Sequence, residues 1–477
     1  MASDSGRQET LTALVVYAGL VVLSFALGLR MTVPWHYYQI LSPGPLGRDL
    51  AESIFYLHAQ PPILNLGLGW ALKLAHATGL QVETLITAAH LVLGAVAVWG
   101  FSTLCQRMLP STGARRVCIA LFVLHPSFYM TLFHYFYSFH ELALLCLLPL
   151  AVFSYLETRQ PWSYALLCLG VILLVYTHTL FHLSWALIVM LGLPWLAGRN
   201  LDPQVRAISA LGPRHRAWLL VSILLLLAWP AKNLIVFDSF GYSTWTGYNL
   251  ALELPIPADD IPERDWSVPE RFREIPVLAE ATKPDGSRNW NHHSIIQHSR
   301  LQGDLAVTAI QKDPTALLRK ALLNYWNYTR FSGRNPYTGH FGTGGAHLPA
   351  SIEPWMRGYE AVVLLDPRSS SSLAHRAYRS PPRQSWALSG FAVLFPVILI
   401  AAAWTLYRQA GAQTAVVGTA TFMLFCVSWV LAVTLLVDGS EANRLRFSTQ
   451  PYLLLLAVWA VESAWRGRKA APRAEAS

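Results

Sequence analysis

About ten apolar segments, each near the ~20 residues needed to cross a bilayer, leave this chain few folds to adopt. They are interrupted once, by a long polar stretch from about Phe240 to Ser385. Backbone polar groups inside lipid must bond within their own segment, so the apolar runs are expected to be helices. The spacing predicts spans at 11–29, 83–104, 115–132, 140–156, 162–178, 180–197, 217–237, 386–406, 413–437 and 445–465. The expected fold class is an all-α polytopic membrane protein of about ten transmembrane helices, with juxtamembrane helices on the outer face and a mixed, mainly helical extracytoplasmic segment. It divides into an N-terminal membrane module (1–237, with a first outer loop at 30–82), an extracytoplasmic domain (238–385), C-terminal membrane helices (386–466) and a basic cytoplasmic tail (467–477).

The 477 residues are 53% hydrophobic and 13% charged, too apolar for a soluble enzyme of this length. A net charge of +9 would suit a nucleic-acid partner, but its placement argues otherwise. Arg107, Arg115, Arg116, Arg159, Arg199, Arg206, Arg214, Arg216, Arg408 and the tail Arg466, Arg468, Lys469 and Arg473 all fall between or beyond the spans. That is the positive-inside pattern, and no nucleic-acid partner is expected. The five cysteines lie in or at apolar segments, with no CxxC pair and none in the polar stretch, so no disulfide framework is implied. The first apolar run, Leu11 to Leu29, is too long for a signal-peptide core and reads as an uncleaved anchor.

Topology turns on residues 61–78, apolar but interrupted by Asn65, Lys73 and His76. If this segment lies along the outer surface, the N-terminus, every arginine-rich short loop and the C-terminus share the cytoplasm. The segments 31–82, 134–140, 177–182, 238–385 and 437–445 then face outward. Asp49, Glu52, His58, Glu141, Asp238, Asp438 and Glu441 gather on that side, with His134, His140, His178 and His182.

The polar stretch carries Trp245, Trp266, Trp290, Trp326 and Trp355, a content foreign to disordered linkers. Asp313-Pro314 predicts a helix start, with Asp as N-cap and Pro in the first turn. Leu317, Leu318, Ala321, Leu322 and Tyr325 then recur at helical spacing as one apolar face. Residues 332–349 read as a flexible loop, either a lid or a connector.

Two stretches carry most of the chemistry. Arg48-Asp49-Leu50-Ala51-Glu52 is followed by Tyr56-Leu57-His58-Ala59-Gln60-Pro61-Pro62, and the last outer loop reads Asp438-Gly439-Ser440-Glu441-Ala442-Asn443-Arg444-Leu445-Arg446. In these, and in the junction Asp238–Leu250 with Tyr248 and Asn249, the chain resembles the glycosyltransferase-C superfamily, polytopic transferases that use polyprenyl-phosphate-linked sugars. Protein O-mannosyltransferases and aminoarabinose transferases are examples. The likeness covers most of the membrane layout but only short stretches of residues. It implies a polyprenyl-phosphate sugar donor and a lipid, glycan or protein acceptor. It also implies inversion at the anomeric carbon and a site on the outer face of a membrane, the plasma membrane if the cell is bacterial. By resemblance Asp49 is the general base, with Glu52 in reserve, since many relatives carry two adjacent acids here and this chain separates them by two residues. The residue types suit the chemistry: a carboxylate takes the acceptor proton, and planar arginines stabilise the departing phosphate. Arg444 and Arg446 are therefore expected at the lipid phosphate, with Glu441, Asn443 and His58 at donor phosphate or sugar.

Plainer roles stay open for each. Asp49 suits an N-cap or a pair with Arg48, and Arg444 and Arg446 suit interfacial anchors. His134, His140, Glu141, His178 and His182, with Tyr248 and Asn249, form a candidate acceptor or polar site. No cofactor is expected to be required; a divalent metal at the histidines is the alternative, though no diagnostic spacing supports it. His125-Pro126 inside a span predicts a kink with a hydrogen-bonded neutral histidine. Competing function classes are a transporter or lipid flippase, an O-antigen-type ligase or polymerase, and a non-catalytic envelope scaffold.

Overall fold

The structure, a computed structural model, describes residues 4–198, 212–261, 263–329, 350–352, 390–409, 415–437 and 442–470, with short pieces between 354 and 362. Among the described residues all regular structure is helical, apart from two isolated backbone bridges, Thr32 with His134 and Thr282 with Arg288. Six helices are long and apolar enough to cross a membrane: α1 (Asp4–Ala26), α5 (Val82–Met108), α8 (Tyr137–Thr158), α11 (Pro213–Phe237), α16 (Gly390–Arg408) and α17 (Ala415–Leu436). Between α1 and α5 lie α2 (Pro43–Arg48), α3 (Leu50–Phe55) and α4 (Ile63–Thr78). The bundle also holds α6 (Thr112–Val123), α7 (Pro126–Leu132), α9 (Pro161–Thr177), α10 (Leu183–Gly198) and α18 (Ala442–Ala470). The polar stretch contributes α12 (Thr246–Leu252), α13 (Pro276–Ala279), α14 (Ser294–Lys312) and α15 (Pro314–Tyr328).

Proline sets many starts. Pro43, Pro126, Pro161, Pro213, Pro276 and Pro314 each open a helix, where a missing N–H costs nothing and a fixed φ is already helical. Asp313 caps α15 as expected, its Oδ1 accepting from the Thr315 amide at 3.0 Å. The predicted apolar face of α15 is divided, however. Ala321 is buried and Leu317 packs inward, but Leu318 and Leu322 are exposed, because α17 and α18 cover only one side of the helix. The 332–349 loop lies outside the described residues.

The expected span 115–132 is not one helix. It stops at Val123 and restarts at Pro126, with His125 extended (φ −68°, ψ 114°) as the N-cap. The cause is local: a residue before proline is pushed out of the α region, so the break is complete rather than a kink. The His125 Nδ1 accepts from the Ser127 amide at 3.1 Å. Small residues draw the helices together elsewhere. A Cβ on Gly100 of α5 would stand 3.0 Å from the Cys146 carbonyl oxygen of α8.

The two ends of the bundle differ. At one end Arg115 pairs with Glu9 (2.9 Å) and Arg466 with Glu462 (3.1 Å), while Glu462 also accepts from the Ser111 amide. At the other end the polar stretch is locked onto the loop that follows α1. Asn291 Oδ1 accepts from the amides of His58 (2.9 Å) and Ala59 (3.1 Å), and its Nδ2 donates to the carbonyls of Tyr56 and Val277. The His58 ring bridges the Thr244 hydroxyl at 2.8 Å and the Asn291 carbonyl at 2.9 Å. Lys283, buried, donates to the carbonyls of Trp35 (2.7 Å) and Tyr37 (2.6 Å).

Within the polar stretch α12 lies against α14 at two glycines. A Cβ on Gly247 would collide with the Ser299 carbonyl oxygen and crowd the Gly303 backbone. Gly247→Val is therefore expected to cost about 1–3 kcal/mol, since the obstacle is backbone and has little room to give. Hydrogen–deuterium exchange in detergent checks this: protection should fall in α12 and α14 and persist in α5 and α8.

Candidate functional site

The first-loop acids sit on short helices at the bundle end that carries the polar stretch. Asp49 ends α2 and caps α3, its Oδ1 accepting from the Glu52 amide at 2.9 Å. Both carboxylates are exposed. Glu52 belongs to the first turn of α3 and Asp49 precedes it, so the two meet through a capping contact rather than as neighbours on one helix face. The plainer reading of Asp49 is thus realised, and it leaves Oδ2 open to solvent. The α2 and α3 helices pack on α4.

The outer-loop histidines divide into separate neighbourhoods. Glu141, fully buried near the start of α8, holds the His178 ring with Nδ1 at 2.7 Å from Oε1, and Tyr137 stacks on that ring at 3.9 Å. The contact is an ion-pair distance without hydrogen-bond geometry: neither carboxylate oxygen of Glu141, nor Nδ1 of His178, makes a hydrogen bond. His134 meets the Thr32 hydroxyl at 2.9 Å, His140 the Phe136 carbonyl at 3.1 Å, and His182 the Ser184 hydroxyl at 2.8 Å. Each of those imidazoles is thus drawn to its own local partner, and of the five expected residues only Glu141 and His178 are joined. Among the described residues no group of three or more His, Cys, Asp or Glu is placed to hold a metal ion.

Arg446 occupies another neighbourhood. Fully buried in the first turns of α18, it stands over the Phe391 ring at 4.6 Å and the Tyr328 ring at 6.0 Å. Burial at this depth does not fit an anchor reaching out to headgroups. Beside it the α6–α7 break leaves a cavity of about 250 Å³, lined by His125, Phe128, Phe391, Phe447, Gln450 and mostly apolar neighbours from α6, α8, α16 and α18. Glu441 lies outside the described residues, and of Asn443 and Arg444 only the backbone, at the start of α18, is described.

Two other expected residues stand apart. Tyr248 and Asn249 lie half-buried on α12; the Tyr248 amide donates to Ser299 Oγ, and its ring meets Trp290 edge-on at 5.5 Å. His58 does not face an open site: it is fully buried, with both ring nitrogens committed to Thr244 and Asn291. Its position between two chain segments, rather than any ligand, accounts for it. Asn291, Thr244 and Lys283 complete the same junction and went unpredicted, because a loop asparagine or lysine has no periodicity to betray its burial. No family model, curated protein or solved structure matches this chain.

Burial pushes the His58 imidazole down to about 3 from its ordinary value near 6.5. A group lowered on folding holds its full stabilising share above about 6.5, and loses it as pH falls toward 3. In that window the junction should weaken by up to about 1.4 kcal/mol per pH unit. Exchange protection of residues 56–60 and 289–294 is expected to drop on acidification in the wild type. In a His58→Asn variant the same segments should be weaker at neutral pH and respond less to acid.

Proposed function

We propose that this chain is an integral-membrane glycosyltransferase of the glycosyltransferase-C type. It moves a sugar from a polyprenyl-phosphate donor to a lipid, glycan or protein acceptor, with inversion, on the extracytoplasmic face. The observation that carries this reading is the buried guanidinium of Arg446, packed over the Phe391 ring that lines a largely apolar cavity between the helices. A long isoprenoid chain ending in phosphate needs that combination, an apolar slot with a cation close to it. Buried cations in membrane helices are costly, which favours function over accident at such a position.

Ten crossings suit the architecture: the six long apolar helices, α9 and α10, the α6–α7 pair taken as one, and α18. With the arginine-rich end in the cytoplasm, the polar stretch lies outside, over the first loop. In this arrangement Arg446 and Arg444 neutralise the lipid phosphate as it leaves, with Glu441 and Asn443 helping to orient it or the sugar. Asp49 takes the acceptor proton, with Glu52 as its alternative. No metal is required by these roles.

Glu141 and His178 favour a second reading. A buried carboxylate beside an imidazole, here Glu141 of α8 and His178 at the end of α9, is the kind of group that moves protons in transporters, so a proton-linked carrier of a lipid-linked sugar is the competing function.

Purified protein in detergent, offered a panel of polyprenyl-phosphate monosaccharides with lipid and glycan acceptors, separates the two. Turnover of one donor is expected, and Asp49→Asn should lower kcat by about 10²–10⁴-fold. Asparagine caps a helix as well as aspartate, so the melting temperature should hold. If Glu52→Gln alone abolishes turnover, the base is Glu52. If no donor turns over while liposomes show lipid-linked sugar crossing the bilayer, and Glu141→Gln stops it, the protein is a carrier.

A further inference from the structure

Away from the first-loop acids and the bundle cavity, the polar stretch repeats a short pattern: Arg264-Asp265-Trp266 and Arg288-Asn289-Trp290. The fold brings the two copies together. The Arg264 guanidinium stands 5.1 Å from the Trp266 ring centre and 5.8 Å from that of Trp290. Arg288 stands 5.6 and 5.4 Å from the same two rings. Two like charges thus share one pair of indoles.

Among the described residues no acid forms an ion pair with either. Asp265 turns to the amide and hydroxyl of Ser267, and Asp285 to those of Ser287. Nε and Nη1 of Arg264 are buried and make no hydrogen bond. His298 of α14, nine-tenths buried, has an Nδ1 without a partner, and both arginines help hold its imidazole below its ordinary range, second to burial. Tyr248 meets the edge of Trp290 at 5.5 Å. Behind this face Trp290 leans on Trp245, and Trp245 on Tyr38, so the platform is anchored by the same junction that docks the first loop. In front, Trp266 is 41% exposed and Arg288 is open to solvent.

Half-buried Arg264 and exposed Arg288 repel one another, and an anion held between or before them would relieve that repulsion. A bare anion is held by charged or amide donors alone and has no need of indoles. Flat indole rings with an exposed edge offer what a pyranose ring needs, an apolar surface beside polar donors. We propose that Arg264, Arg288, Trp266, Trp290, Tyr248 and His298 form a binding site for an anionic saccharide, a sugar bearing a carboxylate or phosphate. The guanidiniums take the anion in paired hydrogen bonds, the indoles and Tyr248 carry the ring, and His298 offers one further polar contact. This site goes beyond the transferase reading and does not depend on it, because binding is read without any donor or turnover.

Isothermal titration of the full chain in a non-ionic detergent, with a glucuronate-containing disaccharide as probe, tests it. Saturable binding is expected, weakened at least tenfold in Arg264→Gln/Arg288→Gln and at least tenfold for a neutral disaccharide of the same size. Trp266→Ala, at an exposed position, should also weaken the acidic sugar while leaving the melting temperature unchanged. The proposal is overturned if neutral and acidic sugars bind alike, or if the double variant binds normally. Inorganic phosphate or an anionic phospholipid nanodisc binding through these arginines as tightly as the sugar acid would overturn the saccharide assignment.

Discussion

The contact on which the rest of this structure depends is the buried hydrogen-bonded junction of Asn291, His58 and Thr244. Three hydrogen bonds from one asparagine side chain, and two from one imidazole, tie residues 56–59 to segments about two hundred residues later, and a fourth bond holds that asparagine to Val277. Each such bond is worth only about 1 kcal/mol net, but leaving any one unmade costs more than it contributed. A fully satisfied buried network therefore permits one docking geometry and penalises its neighbours. Ala59, Trp245 and Ile295 close over it as a small apolar core, with Tyr38 and Trp290 against them. Residues 240–261 and 263–329 of the polar stretch are thus an ordered cap, and the Arg–Trp face on it has a fixed foundation.

Below the cap the bundle departs from simple helix packing in one place. Pro126 ends α6 early, and the gap it opens is where the apolar cavity forms beside α16 and α18. Arg446 stands against the aromatic rings beside that gap, and Glu141 with His178 stands nearer the loops at the same end. Charges so placed are expensive in a membrane protein. Their presence in the interior, rather than on the exposed faces lined by residues such as Ile235 and Val461, is what makes the inside of this bundle chemically interesting.

Much of the membrane framework was legible because its rules are local. Apolar length gave α5, α8, α11, α16 and α17 to within a few residues, and proline and Asp313 marked true helix starts. The α1 helix runs on to Asp4, beyond the apolar run, because Glu9 finds Arg115 and Gln106 bonds the backbone of Gly6. The break at His125 was carried by the His-Pro pair but underestimated. The division of α15 was hidden, since spacing defines an apolar face but not which neighbours cover it. The site was harder to read for the same reason. Asn291, Lys283, Arg264 and Arg288 sit in irregular chain, and their importance comes from partners far away in sequence. The repeated Arg-x-Trp is a signal in the sequence, and it acquires meaning only when folding sets both arginines against both indoles.

The central claim, that the cavity beside Arg446 receives the chain and phosphate of a polyprenyl lipid, is tested most directly by photo-crosslinking. A diazirine-bearing polyprenyl phosphate would be irradiated with the protein in detergent and the labelled peptides mapped by mass spectrometry. The account predicts labelling concentrated on α6–α7, α16 and α18, competed by unlabelled polyprenyl phosphate and lost in Arg446→Gln. Labelling spread over the lipid-facing surfaces of α1 and α11, indifferent to competitor and to that substitution, would contradict it.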